Sequence, residues 1–181
     1  HPEKSQAYGA KIIKNYIACE RDTAKLIDSI ETLGNCFYLN DNGAIISSPK
    51  LPRIKNMDEV PSPYLMGLFD KFLAEGTYLP MIQTNRGCPF SCTFCQEGVR
   101  YFTKVNSHSL EFVTQELDYI AERVNPSAGL FITDSNWAMY KEDIEISKHI
   151  AKIQAQINWP KEIFSSTGKA NLKRIIGIGK I

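Results

Sequence analysis

After residue 78 an apolar strand, a loop and an amphipathic helix follow one another three times, and this recurrence narrows the folds open to the chain. Residues 78–83, 129–133 and 162–166 read as short, mostly apolar strands. Helical stripes follow each of them. Leu110, Val113, Leu117 and Ile120 mark a helix over about 107–124, Ile146, Ile150, Ile153 and Ile157 a second one after Tyr140, and Leu172, Ile175 and Ile176 begin a third. Such alternation predicts an α/β fold whose parallel strands are joined by right-handed crossovers. Continued, the units would close into a TIM-like (β/α) barrel with its functional residues on the loops after the strands. Three units make about the first half of that ring. The sequence does not begin with Met and ends at Gly179-Lys180-Ile181, so it reads as an internal piece of a longer protein.

Upstream, residues 11–19 read as a strand, and Leu26, Ile27, Ile30 and Leu33 as a helix closed by Gly34. Residues 36–40 and 44–48 flank Asp41-Asn42-Gly43, a strong hairpin signal because Asn and Gly tolerate positive φ. Residues 49–60 have the charge and proline of a linker. Ser62-Pro63 then opens a helix, with serine as N-cap and proline at the first helical position. Its apolar face is Leu65, Leu68, Phe69, Phe72 and Leu73, and Gly76 ends it. Three parts result: residues 1–48, a linker and helix over 49–76, and 77–181.

With 43% hydrophobic residues, 181 residues suffice for a real core. A formal charge of +1, with Lys and Glu interspersed, creates no strong pull toward nucleic acid or a membrane surface. No apolar run is long enough to span a bilayer, and the N-terminal residues lack a signal segment. The odd total of five cysteines, three of them clustered, fits a reducing cytoplasm better than a disulfide framework.

Those three, Cys88, Cys92 and Cys95, lie in RGCPFSCTFC directly after the first strand of the repeat, spaced C-x3-C-x2-C. Thiolates on so short a loop can converge on one metal centre. A closed zinc site takes four protein ligands, and a ferredoxin-type cluster takes four cysteines. Three ligands leave a coordination position open for chemistry.

This spacing resembles the signature of the radical-SAM enzymes. The resemblance implies a 4Fe–4S cluster held by Cys88, Cys92 and Cys95, with the fourth iron chelated by S-adenosylmethionine. It further implies reductive cleavage of that cofactor to a 5′-deoxyadenosyl radical, and an electron donor such as flavodoxin or ferredoxin. Phe94 matches the position that contacts the adenine in the family; its alternative is an apolar plug under the loop. Arg86 would offset cluster charge, or is simply solvated. After the second strand the family often carries Gly-Gly-Glu toward the methionine amino group. Here Asp134-Ser135-Asn136-Trp137 stands instead, a form similar to that of radical-SAM proteins with a cobalamin domain. Asp134 and Asn136 would accept from an ammonium, or cap the helix that follows. After the third strand, Ser165, Ser166, Thr167 and Lys169 would meet ribose hydroxyls and the cofactor carboxylate, or are plain loop residues.

Residues 57–65 look like the segment joining a cobalamin-binding domain to a radical-SAM barrel. Residues 1–48 then look like the end of that Rossmann-like domain, which makes cobalamin a possible cofactor through a domain mostly upstream. The family's Asp-x-His-x-x-Gly motif is not formed around His1, His108 or His149, so either it lies upstream of His1 or this member does not ligate cobalt through histidine. The resemblance implies a small-molecule or peptide substrate and methylation at an unactivated carbon. A methylthiotransferase-like radical-SAM enzyme is the alternative within enzymes, although Cys19 and Cys36 do not supply the three extra ligands it needs. The alternative outside enzymes is a zinc-stabilised binding module with Cys88, Cys92, Cys95 and His108 as a Cys3His set. Cys19 and Cys36 read as small buried hydrophobes, and His149 as a surface or boundary residue.

Overall fold

The computed structural model describes residues 37–39, 42–47, 49, 52, 54–167, 169 and 171–181. The strand and helix expected over 11–33, with Cys19 and Cys36, lie outside the described residues. The chain divides into two compact units, His1–Lys55 with Glu59–Pro61, and Asn56–Asp58 with Ser62–Ile181. In the first, β1 (Phe37–Leu39) pairs antiparallel with β2 (Ile45–Ser47), Leu39 opposite Ile45, with Asn42 and Gly43 in the turn. This is the expected hairpin.

The second unit carries, in chain order, α1 (Asp70–Glu75), β3 (Met81–Ile82), β4 (Asn85–Arg86), β5 (Asn106–Ser107), α2 (Leu110–Ala121), β6 (Leu130–Ile132), α3 (Glu142–Ile157), β7 (Ile163–Ser165) and α4 (Leu172–Ile178). Strands β3, β6 and β7 form a parallel sheet in that order, with Ile82 beside Ile132 and Ile132 beside Ser165. The strands are shorter than the apolar runs that mark them, but their order and direction are those the βα repeat predicts. Val113, Leu117 and Ile120 of α2 and Ile146, Ile150 and Ile153 of α3 pack with Ile82, Leu130 and Ile132 in one core. Each such aliphatic side chain contributes about 1.5–3 kcal/mol on full burial. Their helical spacing is what turns one face of each helix onto the sheet.

Two expectations change. The helix predicted from Ser62 does start with a cap, since Ser62 Oγ accepts the Leu65 N–H at 3.2 Å. Gly67, at φ +71, then turns the chain out of the helical region, and regular helix resumes only at Asp70. As a result Leu73 is buried while Leu65, Phe69 and Phe72 remain partly exposed. The second change is at residue 107, where Ser107 belongs to a strand and Ser109 is the N-cap of α2, accepting the Phe112 N–H at 3.1 Å. The short β4–β5 ladder, antiparallel with Asn85 opposite Ser107, closes the base of the loop that holds the cysteines. Among the described residues, no helix is long and apolar enough to cross a membrane.

Candidate functional site

The cysteine loop leaves β4 and returns at β5, and its backbone is held at several points. The Cys88 N–H donates to the Phe102 carbonyl at 2.9 Å, and the Cys95 N–H to the Cys92 carbonyl at 3.1 Å. Two glycines permit this path. Gly87 has φ +114, and a Cβ there would lie 2.7 Å from the Lys104 carbonyl oxygen. A Cβ on Gly98 would overlap the Cys92 carbonyl oxygen outright. Neither glycine was singled out from the sequence, where a glycine near a cysteine loop signals only a possible close approach.

The three thiols differ in setting: Cys88 is buried, Cys92 half-buried and Cys95 exposed. Among the described residues, no three His, Cys, Asp or Glu side chains are gathered as a metal site. Two of the sulfurs nevertheless have donors from the neighbouring βα loops. Asn136 Nδ2 donates to Cys88 Sγ at 3.2 Å, and the Lys169 ammonium contacts Cys92 Sγ. Asn136 also accepts the Lys169 backbone N–H at 3.2 Å, so one amide ties the loops after β6 and β7 to the first cysteine. The same ammonium stands 4.6 Å from the centre of the Phe90 ring, a cation–π contact. Phe90 is thus a further residue of this site; an aromatic side chain between two cysteines of the loop was its only sequence signal.

Asp134 is placed differently from either reading of it. Its carboxylate neither caps α3 nor projects freely. Oδ1 accepts the backbone N–H groups of Thr84 at 2.7 Å and of Asn85 at 3.3 Å. Oδ2 accepts the Asn85 side-chain amide at 2.8 Å and the Thr84 hydroxyl. At 1% exposure it is buried beneath the root of the cysteine loop. Burial raises its pKa above the ordinary carboxylate value, against the pull of the hydrogen bonds from Thr84 and Asn85. Trp137, in the same segment, is buried, and its backbone N–H donates to the Ser166 carbonyl at 2.7 Å.

Phe94 is 91% exposed, so the plug reading does not hold: nothing of the core lies over its ring. Ser166 is exposed at the end of β7, and Lys169 is exposed beside it. Arg86 donates from Nε to Gln83 at 2.9 Å. His108 lies with Nδ1 3.1 Å from Asp58 Oδ1 and its ring stacked on Phe112, the centroids 4.3 Å apart. Burial holds its pKa below the usual histidine value. This geometry ties His108 to Asp58 rather than to the cysteines. His149 meets Asp118 at 2.7 Å, near the surface as expected.

No family model matches the chain. It is 32% identical over 120 residues to an uncharacterized methyltransferase of Pyrococcus horikoshii, an overlap of 66% of this chain and 26% of that protein. Over 140 residues it is 28% identical to the cobalamin-dependent radical SAM methyltransferase TokK of Streptomyces tokunonensis, covering 75% of this chain and 20% of TokK. The chain therefore spans about a quarter or less of the length of these relatives. Among solved structures, the cobalamin-dependent S-adenosylmethionine radical enzyme OxsB, with aqua-cobalamin and S-adenosylmethionine bound, matches at a TM-score of 0.44 and 19% identity, over 81% of this chain and 21% of that one. By sequence the chain is a radical-SAM homologue whose relatives include a cobalamin-dependent methyltransferase.

Proposed function

We propose that the chain is part of a radical-SAM enzyme in which Cys88, Cys92 and Cys95 hold a 4Fe–4S cluster that binds S-adenosylmethionine. The observation that carries this reading is the pairing of loop sulfurs with donors, the Asn136 amide at Cys88 and the Lys169 ammonium at Cys92. Three soft sulfur ligands suit iron–sulfur chemistry, and hydrogen bonds and positive charge around the sulfurs tune such a centre. When bound, the cluster supplies the electron that cleaves a carbon–sulfur bond of the cofactor.

The remaining work falls to this chain's own residues. Phe94 offers an uncovered ring to the adenine, and Ser166 and Lys169 offer a hydroxyl and a cation to the ribose and carboxylate. Asn136 holds the first cysteine. The three parallel strands are read as the opening half of a TIM-like (β/α) radical-SAM barrel, and residues 1–48 as the end of a Rossmann-like, cobalamin-binding-type domain. The likeness to TokK favours methyl transfer as the reaction. The substrate is a small molecule or peptide, the electron donor a flavodoxin or ferredoxin, and the setting cytoplasmic.

The test is metal analysis after anaerobic reconstitution of the full-length protein. Wild type takes up iron and sulfide, Cys92→Ala loses them, and Cys19→Ala and Cys36→Ala keep them. Full iron and sulfide in Cys92→Ala refutes the assignment. A stoichiometric zinc lost on changing His108 would establish the Cys3His module in its place.

A further inference from the structure

The buried cluster of Thr84, Asn85 and Asp134 does no work in the cofactor chemistry just described, yet it is the most heavily hydrogen-bonded side-chain group at the site. Four donors converge on one carboxylate from two consecutive residues, across 49 and 50 positions of sequence. The Thr84 hydroxyl accepts the Asn85 amide at 3.1 Å, so its own proton is free to point at Asp134. Each of these four hydrogen-bond partners donates to the carboxylate. No lone pair is left facing outward for a cofactor ammonium.

The position of the cluster gives it a consequence. Thr84 immediately precedes β4 and Asn85 opens it, and Cys88 follows three residues after Asn85. The Thr84 carbonyl also accepts the His108 N–H at 2.9 Å, where the chain comes back from the loop. Asp134 therefore grips both the exit and, through Thr84, the return of the cysteine loop. Two residues further on, Asn136 holds the Cys88 sulfur.

We infer that Asp134 is a positioning residue: it fixes the root of the cysteine loop through Thr84 and Asn85, and does not itself bind the cofactor's amino group. This deepens the radical-SAM reading of the same loop and rests on it for its cluster arm alone. Removing the carboxylate leaves the Thr84 and Asn85 amides without their acceptor, loosens residues 84–88 and spoils the convergence of the thiols. A direct ligand to S-adenosylmethionine would behave in the opposite way, sparing the cluster and weakening the cofactor.

Two readouts separate the cases in the full-length protein. The first is hydrogen exchange of the backbone over residues 84–88 in protein purified without cluster. Asp134→Ala is expected to speed it on the order of ten- to a hundredfold, the equivalent of one lost charge-assisted hydrogen bond. Thr84→Val, nearly isosteric, removes only the hydroxyl donor and is expected to shift exchange the same way by a smaller factor. The second is reconstitution, where Asp134→Ala is expected to take up less iron and sulfide, while its loaded fraction binds S-adenosylmethionine with wild-type affinity. Unchanged exchange in both variants overturns the inference, and so does full cluster content with weakened cofactor affinity in Asp134→Ala. Should Asp134→Ala fail to fold, exchange in Thr84→Val decides alone. Should wild type take up no cluster, the radical-SAM reading falls while the exchange measurement still judges the role of Asp134.

Discussion

The Tyr64 hydroxyl makes two hydrogen bonds to one residue of an edge strand: it donates to the Met81 carbonyl and accepts the Met81 N–H, each at 2.9 Å. Among the described residues β3 is terminal in the sheet order, and no strand pairs with its outer backbone groups. One phenol here supplies the donor and the acceptor that a neighbouring strand would supply. Tyr64→Phe removes both bonds and keeps the ring in the core. At about 0.5–1.5 kcal/mol for each neutral bond, the loss should be roughly 1–3 kcal/mol. Denaturant unfolding of the full-length protein measures it, and a variant as stable as wild type would show that water serves Met81 equally well.

Gly98 predicts a local effect instead. Any Cβ there meets the Cys92 carbonyl oxygen, which belongs to the backbone and cannot swing aside. Gly98→Ala should push residues 92–98 apart and lower iron and sulfide uptake, with little change in global stability because the loop lies outside the core. Metal analysis beside thermal unfolding separates the two quantities. Full uptake in Gly98→Ala would mean the loop reshapes freely around its ligands.

Asp143 gives the pH dependence. Its side chain is buried and accepts the Tyr140 N–H at 2.8 Å. Burial is the main cause that raises its pKa from 3.8 to about 6, with the Tyr140 hydrogen bond and then the nearby Arg174 pulling the other way. A carboxyl raised in the fold favours its protonated form there. Its contribution is therefore full below about pH 4 and is lost as the pH rises through about 6, by on the order of 3 kcal/mol. In Asp143→Asn this dependence should vanish, so the variant gains stability relative to wild type between pH 4 and 7. Parallel stability curves for the two proteins would contradict the assignment.

What was legible in the sequence, and what was not, follows the range of the interactions. The stripes of α2 and α3 were legible because helix-spaced apolar residues such as Val113, Leu117 and Ile120 bury together whatever lies opposite. The hairpin at Asn42 and Gly43 was legible because its turn chemistry is local. The β4–β5 ladder was not. Asn85, Arg86, Asn106 and Ser107 show no apolar alternation, and their pairing spans the whole cysteine loop. Gly67 falls inside the helix expected from Ser62 to Gly76, and only its left-handed backbone reveals the break. Asp134 was recognised as a residue of the site, but its partners lie some fifty positions away, and nothing local distinguishes a carboxylate facing a ligand from one facing Thr84.

The central claim is that Cys88, Cys92 and Cys95 support radical cleavage of S-adenosylmethionine. The most direct measurement is the yield of 5′-deoxyadenosine from the anaerobically reconstituted, chemically reduced full-length protein, with Cys92→Ala and Cys36→Ala alongside wild type. The account predicts that wild type and Cys36→Ala form 5′-deoxyadenosine and that Cys92→Ala forms none. Equal yields from Cys92→Ala and wild type, or a wild type that carries zinc and leaves S-adenosylmethionine intact, would contradict it.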